Sequence, residues 1–312
     1  MGNDSANAPC RPARSADFEG NLMTNLYERE DAYIPRVAAI HDLCGYGKCS
    51  LGVAIPVLSA AGCDVCPVPT GLFSSHTAFP GWYMHDTTDI LGDYLAAWAG
   101  IGVELDAVYS GFLGAPEQVD IIKQVWETYP KALRVVDPVM ADHGKVYPTY
   151  TPELVEAMGT LANGADILTP NLTEAAIILG EPIGHDWCGT DISDAEAARM
   201  IDALVAKGAK HVVLKGIQRE GESVIRNFVG GVDCDMFEAA NEYLPYMLHG
   251  TGDLYCSCLM AAVMAGRSLR DAVVFAGDFT HDAMIVSAKQ PDFKNRGVSF
   301  EPLLGKVAQL LG

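Results

Sequence analysis

The 312-residue sequence predicts an α/β fold in which a mainly parallel sheet is covered by helices on both faces. Three observations carry this. Short apolar runs of the kind found in buried strands alternate with helix-length segments. Polar residues cluster just past several of those runs, where ligands gather in open α/β sheets. No linker or repeat interrupts the alternation, so a single layered domain with loop excursions accommodates it.

Residues 1–34 are polar, mixed in charge and unpatterned, and read as a disordered leader or N-terminal arm, with Met23 as an alternative initiator. The domain then occupies 35–312. Its first strand, Arg36-Val37-Ala38-Ala39-Ile40, is expected to run into a loop from His41 to Gly47. A helix over 50–61 follows, with Pro56 expected to make it irregular because proline lacks a backbone donor. Residues 64–67 supply the next strand, and 106–109, 133–136, 166–168 and 211–214 supply more. Helical segments fall around 86–99, 116–128, 151–162, 173–179 and 194–207. After Lys215 the pattern changes. Residues 223–229 and 234–239 read as paired strands joined by Gly230-Gly231, and helices over 254–265 and 269–288 close the layer.

At 33.3 kDa the chain can bury one large core. Forty acidic against 21 basic residues give a net charge of -19, which opposes non-specific binding to nucleic acid or to an anionic membrane. A phosphate-rich ligand must then be held by local N–H groups, a few lysines and metal. The 9 cysteines are scattered and odd in number. Cys63-Asp64-Val65-Cys66 resembles a redox or metal pair but alternates within a strand-like run and has no second pair. Core thiols in a reducing compartment are the expectation. No apolar stretch reaches about 18 residues and no signal-peptide core is present, so a cytoplasmic protein is expected.

The most informative motif is Tyr246-Met247-Leu248-His249-Gly250-Thr251-Gly252-Asp253-Leu254-Tyr255, a glycine-threonine-glycine turn with an aspartate ahead of an apolar helix. Such a junction aims several N–H groups at one spot, where a phosphoryl oxygen can rest while the carboxylate orients or deprotonates a hydroxyl. Alone, the glycines would also serve tight packing, and Asp253 would serve as a first-turn charge. Two polar strand ends add weight: Asp137-Pro138-Val139-Met140, and Thr169-Pro170-Asn171-Leu172-Thr173-Glu174. Asn171 and Glu174 share a helix face and offer the hard oxygen donors that suit magnesium. The pair also fits a capping box, and the two roles are compatible.

Together these motifs resemble the ribokinase superfamily and, within it, the pyridoxal kinases. The likeness runs from about Val37 to Met284. Its other marks are Gly45-Tyr46, Ser74-Ser75-His76-Thr77 and Ser110-Gly111-Phe112. The resemblance implies a ribokinase-like three-layer sandwich. It also implies ATP- and Mg2+-dependent phosphorylation of the 5'-hydroxymethyl group of pyridoxal, pyridoxamine or pyridoxine, and leaves a monovalent cation such as K+ open. It assigns Asp253 as base and Gly250, Thr251 and Gly252 as anion hole. Asp137 and Glu174 correspond to magnesium-organising acids, Thr169 and Asn171 to positions near the ATP phosphates, and Asp142 to a flap that His143-Gly144-Lys145 would help close. His76, Thr77 and Phe112 correspond to the vitamin pocket, with Tyr46 as a further wall. Phe112 read by itself is equally a core ring, and Tyr46 an exposed loop aromatic.

Asp42 departs from the family, which has a serine there. A carboxylate suits a protonated pyridine nitrogen or a vitamer amine, unless it pairs with Lys48 instead. Lys215 ends a strand near the expected nucleotide site and reads either as a phosphate contact or as a solvated lysine. A homodimer is implied by the resemblance alone. A hydroxymethylpyrimidine kinase shares most of these features and is the alternative; a non-catalytic vitamin-binding protein would have lost the base or the metal acids. A dinucleotide enzyme is disfavoured by the missing glycine fingerprint after the first strand.

Overall fold

A computed structural model describes residues 25–182 and 192–312. Met23, Cys10 and Cys188 lie outside the described residues. In chain order the strands and helices are β1 (Arg36–Cys44), α1 (Leu51–Ala60), β2 (Asp64–Phe73), β3 (Met84–Asp86), α2 (Thr88–Gly100), β4 (Ala107–Ser110), α3 (Pro116–Thr128), β5 (Leu133–Val136), β6 (Ala141–Asp142), β7 (Lys145–Val146), α4 (Pro152–Gly159), β8 (Ile167–Leu168), α5 (Leu172–Leu179), α6 (Asp194–Ala206), β9 (His211–Gln218), β10 (Val224–Gly231), β11 (Cys234–Glu242), α7 (Thr251–Met264) and α8 (Leu269–Ser287). Short helical turns finish the chain.

The central sheet is 9-stranded, in the order β11-β10-β9-β8-β5-β4-β1-β2-β3. From β9 across to β2 every neighbouring pair is parallel, while β10, β11 and β3 add antiparallel edges. Strand alternation builds the two cores directly. Ala38, Ile40, Val108, Val136, Leu168 and Leu214 face one cluster with α3, α4, α5 and α6. Val37, Ala39, Tyr109, Val135, Ile167 and Val213 face the other with α1, α7 and α8. Both faces of these central strands are therefore apolar, which is why they read as continuous hydrophobic runs. Cys63 and Cys66 fall to opposite cores, Cys63 in one and Cys66 against the other, and every cysteine among the described residues is a free thiol.

Several expectations need correction. β1 does not yield to a loop at His41 but continues to Cys44, in register with β2 up to Phe73 through an irregularity between His41 and Leu43. The expected helix around 86–99 begins at Thr88, because Met84–Asp86 first pairs with the end of β2 and the Asp86 carboxylate accepts the Thr88 N–H (2.9 Å). α1 runs through Pro56 without a break. The β10–β11 turn is Val232-Asp233 rather than Gly230-Gly231. Gly231 is instead the point where β10 presses on the start of β9, since a Cβ there would collide with the Lys210 carbonyl. α7 starts at Thr251, so the glycine turn is its first turn.

The last residues of the polar N-terminal segment dock as an arm. Arg29 donates to the carbonyls of Ala61 and Gly62 (3.0 Å each), and Tyr33 donates to Asp106 (3.0 Å). Those partners precede β2 and β4, so the arm closes the amino-terminal edge of the sheet, opposite the strand ends that carry the chemistry.

Candidate active site

Gly250 is the N-cap of α7 and adopts φ 80°, a left-handed conformation that a side chain resists. A Cβ on it would also strike the Lys48 carbonyl, so that loop and the helix start are packed backbone to backbone. No side chain caps α7. Its first-turn N–H groups are left for another acceptor, with the positive end of the helix dipole behind them. Thr251 turns its hydroxyl back onto the Leu248 carbonyl (3.1 Å). A Cβ built on Gly252 would stand 4.0 Å from the Lys215 ammonium, which sets that charge beside the turn.

Lys215 comes from β9, where it is almost wholly buried, and is not a solvated strand-end lysine. Its Nζ donates to Asp137 Oδ1 at 2.7 Å, and Thr169 Oγ1 donates to the same oxygen at 3.1 Å. Burial works against the Lys215 charge, but Asp137 and then Glu174 outweigh it and hold the ammonium above its ordinary range. The parallel order β5-β8-β9 makes this contact, because Asp137 and Thr169 lie just past the ends of β5 and β8 and β9 runs on beside them to carry Lys215. Asp137 Oδ2 is buried and has no hydrogen-bond partner.

Glu174 is 2% exposed. Its oxygens accept from the N–H groups of Asn171 (2.8 Å) and Met140 (3.3 Å), and the Asn171 side chain accepts the Glu174 N–H (2.9 Å) in a complete capping box. The Asn171 amide also donates to the Ala141 carbonyl (2.8 Å), so both ends of that side chain are engaged. Burial pushes Glu174 up to about 8, with Asp137 adding to the effect and Lys215 opposing it. Asp253 is pushed up to about 7, chiefly by desolvation, with the Ser50 backbone N–H pulling the other way and Asp137 and Asp42 raising it further. Its side chain is partly accessible at the surface, yet protein on the remaining sides suffices to make desolvation the main cause.

Asp137, Glu174 and Asp253 thus surround one ammonium, two of them are held back from ionising, and one buried oxygen is unpaired. A hard divalent cation fits that deficit. The three do not converge within direct-ligand distance of one another, which suits a hydrated Mg2+ held partly through water. Asp142 sits in the β6–β7 hairpin, whose turn residues His143 (φ 48°) and Gly144 (φ 71°) both have the positive φ that a tight two-residue hairpin requires. The Gly144 N–H is tied to Thr173 Oγ1 on α5 (3.0 Å), bringing the hairpin next to the Asn171–Glu174 turn.

Next to the Gly250–Asp253 turn, reached through His249, lies an aromatic cluster. Tyr46 is 51% exposed and packs on Phe79 at 5.3 Å, which in turn packs on His76 at 4.6 Å. His76 also stacks on His249 at 4.5 Å. Its Nδ1 accepts from the Ala78 N–H, which leaves the proton on Nε2 to donate to the Asn295 carbonyl at 2.8 Å. Both nitrogens are engaged, and burial lowers the ring's pKa. Thr77 is exposed beside it. Phe112 is 9% exposed, wedged edge-on between Phe73 and Tyr150, as a core ring would be. Lys48 pairs with Glu301 and leaves Asp42 to Cys44, whose thiol lies 3.4 Å from the carboxylate. Asp42 is buried and its pKa is raised by desolvation.

The sequence reading did not single out His249, although it lay inside the quoted motif, nor the Asn295 carbonyl, 219 residues from its histidine partner. A cavity of about 1230 Å³ bordered by Trp126, Arg134, Tyr150 and Lys207 includes none of the assigned residues. Converging charge, rather than cavity size, marks the site. No helix among the described residues is long and apolar enough to cross a membrane.

Comparison with known proteins adds a family to this geometry. The family model of phosphomethylpyrimidine kinase matches residues 58–297. The curated pyridoxal kinase PdxY of Pseudomonas aeruginosa is 25% identical over 266 residues, covering 80% of this chain and 88% of its own. That of Paraburkholderia xenovorans is 29% identical over 265 residues, covering 81% and 86%. Among solved structures, a Bacteroides thetaiotaomicron protein assigned to the phosphomethylpyrimidine kinases, crystallised with pyridoxal, superposes with a TM-score of 0.83 at 32% identity over 88% of this chain and 96% of its own. Pyridoxal kinase from Lactobacillus plantarum gives 0.80 at 28%, over 89% and 98%. The ribokinase-like sandwich expected from the sequence is the fold these structures share.

Proposed function

The chain belongs to the phosphomethylpyrimidine kinase family, and from that premise and its own site we propose that it is a vitamin B6 kinase. It moves the γ-phosphoryl group of ATP onto the 5'-hydroxymethyl group of pyridoxal, pyridoxamine or pyridoxine. The observation that carries the reading is Asp253, a carboxylate pushed up to about 7 in the first turn of an uncapped helix. A base with its pKa near the working pH accepts the alcohol's proton most effectively.

In this mechanism Asp253 accepts the hydrogen bond of the 5'-hydroxyl and takes its proton as the oxygen attacks. The N–H groups of the Gly250–Asp253 turn, with Lys215 beside them, receive the charge that spreads over the transferred phosphoryl oxygens. Such local donors are needed because the net charge of -19 repels a nucleotide at long range. Asp137 and Glu174 would hold Mg2+, directly or through water, and the bound ion supplies charge neutralisation for the phosphates. Thr169 and Asn171 lie toward the phosphates, and the Asp142 hairpin covers them.

The B6 reading is favoured over the pyrimidine one by the aromatic wall of Tyr46, Phe79 and His76, by the curated pyridoxal kinases and by the pyridoxal-bound homologue. The family model's own name keeps hydroxymethylpyrimidine as the second reading. Buried Asp42 would regain its charge against a cationic vitamer group, so pyridoxamine and pyridoxine are expected to compete well with pyridoxal. An Asp42→Ser variant with unchanged vitamer ratios would remove that assignment. The described thiols, all free, suit the reducing cytoplasm. The homodimer rests on family likeness and is checked by the mass in solution.

The deciding experiment is ATP- and Mg2+-dependent phosphorylation of pyridoxal, pyridoxamine, pyridoxine and hydroxymethylpyrimidine in parallel, with and without KCl and with Asp253→Asn as control. Turnover of a B6 vitamer that the variant loses is expected. Turnover of the pyrimidine alone would move the protein to the second reading, and binding without turnover would make it a vitamin-binding protein.

A further inference from the structure

Asp42, Cys44 and Cys49 sit where β1 runs into α1, and none of the chemistry above uses the two thiols. Among the described residues this is the one group of three His, Cys, Asp or Glu side chains whose ligand atoms all lie within 4.8 Å of one another. Asp42 is 4% exposed, and the thiols are half-buried. Cys44 Sγ is 3.4 Å from Asp42 Oδ2, and the Cys49 thiol hydrogen-bonds with Cys44.

The sulfur–oxygen distance between Cys44 and Asp42 matches a tetrahedral site. Zn–S and Zn–O bonds of about 2.3 and 2.0 Å at the tetrahedral angle put sulfur and oxygen about 3.5 Å apart. The cluster also lacks a counter-charge. Lys48, the lysine of the same loop, is engaged by Glu301, and the desolvated Asp42 carboxylate has uncharged donors, Ser50, the Cys44 thiol and its own backbone N–H, to offset its burial.

We propose that Asp42, Cys44 and Cys49 form a binding site for a borderline-soft divalent cation, of which Zn2+ is the type, with water as the fourth ligand. Two thiolates and a carboxylate select such an ion over Mg2+, which prefers six oxygens. Binding releases the two thiol protons and leaves a complex of net charge -1. Asp253 acts electrostatically on both Asp42 and Cys49, so the charge of an ion here would be felt at the base. It also occupies Asp42, the group assigned above to the vitamer. The site is therefore inhibitory, and its inhibition is competitive with vitamer and not with ATP. The inhibition rests on the proposed kinase function, whereas the metal binding does not.

The test titrates the full-length, nucleotide-free protein under reductant with Co2+ in millimolar Mg2+, then displaces it with Zn2+. A thiolate-to-cobalt charge-transfer band and the strong visible bands of tetrahedral cobalt are expected, saturating at one ion per chain. Cys44→Ser and Cys49→Ser should each weaken binding by about 100-fold and relieve Zn2+ inhibition while keeping turnover in chelator. Absence of the band, or a band unchanged in both variants, overturns the site. A loss of two titratable thiols that a dithiol reverses, without metal uptake, would overturn it in favour of a redox pair. An inactive protein that still shows the cysteine-dependent band would sink the kinase reading and leave the site standing.

Discussion

The two halves of the candidate site are built differently. On the phosphate side, Asp137 and Thr169 stand just past strand ends, Lys215 lies within β9 and bonds with Thr169 to Asp137, and buried Glu174 is fixed in the first turn of α5 by its capping box. On the vitamer side, Tyr46, His76 and Phe79 stand on loops and meet mainly through ring packing. The first half is held by the sheet; the second is held by whatever its loops happen to touch. Chemistry that must not move is carried by regular elements, and selectivity is left to segments that can vary without disturbing it.

The largest effect that would break this contrast is at the base. Asp253→Asn should lower kcat by roughly 10²–10⁴-fold and leave the fold intact. The wild-type kcat/KM should fall as the pH drops through about 7, because the raised pKa protonates the base there. A variant within a few-fold of wild type would mean that positioning alone drives the reaction.

Next comes a pair of lysines, one from each half. Lys215→Met strands the buried Asp137 carboxylate and should cost about 3–5 kcal/mol of stability, besides impairing transfer. Lys48→Met breaks the partly exposed pair with Glu301 and should cost less than about 1 kcal/mol. Chemical denaturation of both variants measures the contrast, and equal costs would erase it.

The same division governed what could be read from the sequence. Apolar runs fixed by burial on both faces disclosed the parallel strands, polar residues just past them disclosed Asp137, Thr169 and Glu174, and the glycine turn ahead of an apolar helix disclosed Gly250–Asp253. Lys215 was ambiguous because its partner lies 78 residues away, and only the strand order β5-β8-β9 makes them neighbours. β3 and the β6–β7 hairpin are too short to establish a period. The His76–His249 stack and its Asn295 carbonyl depend on a C-terminal segment folding back over the pocket, and no local pattern encodes that. The same distance obscured the docked arm, where Arg29 meets the carbonyls of Ala61 and Gly62.

A smaller effect sharpens the vitamer half. Tyr46→Ala removes an exposed ring that packs on Phe79, and ring contacts of this kind are worth about 0.5–1.5 kcal/mol. The KM for vitamer should rise about 3–10-fold, with kcat and the KM for ATP nearly unchanged in steady-state kinetics. A fall in kcat of similar size would mean that Tyr46 aligns the alcohol as well as walling the pocket.

The smallest effect returns to Asp253 and asks what its placement costs the fold. Its folded pKa of about 7 lies above the ordinary value of 3.8 expected for the unfolded chain. Between those two values the folded protein retains a proton that the unfolded chain has lost. Stability from this group is therefore complete below the unfolded pKa and is lost as the pH rises through about 7. The amide of the Asp253→Asn variant cannot ionise and escapes the loss. In chelator and without nucleotide, that variant should match the wild-type Tm near pH 4 and exceed it by a few degrees above pH 7. Saturating Mg2+ and nucleotide should shrink the gap, since a cation beside the carboxylates removes part of the penalty that burial imposes. A Tm difference independent of pH would mean that the turn holds a comfortable charge, and the rigid half would then carry no strain at its reacting atom.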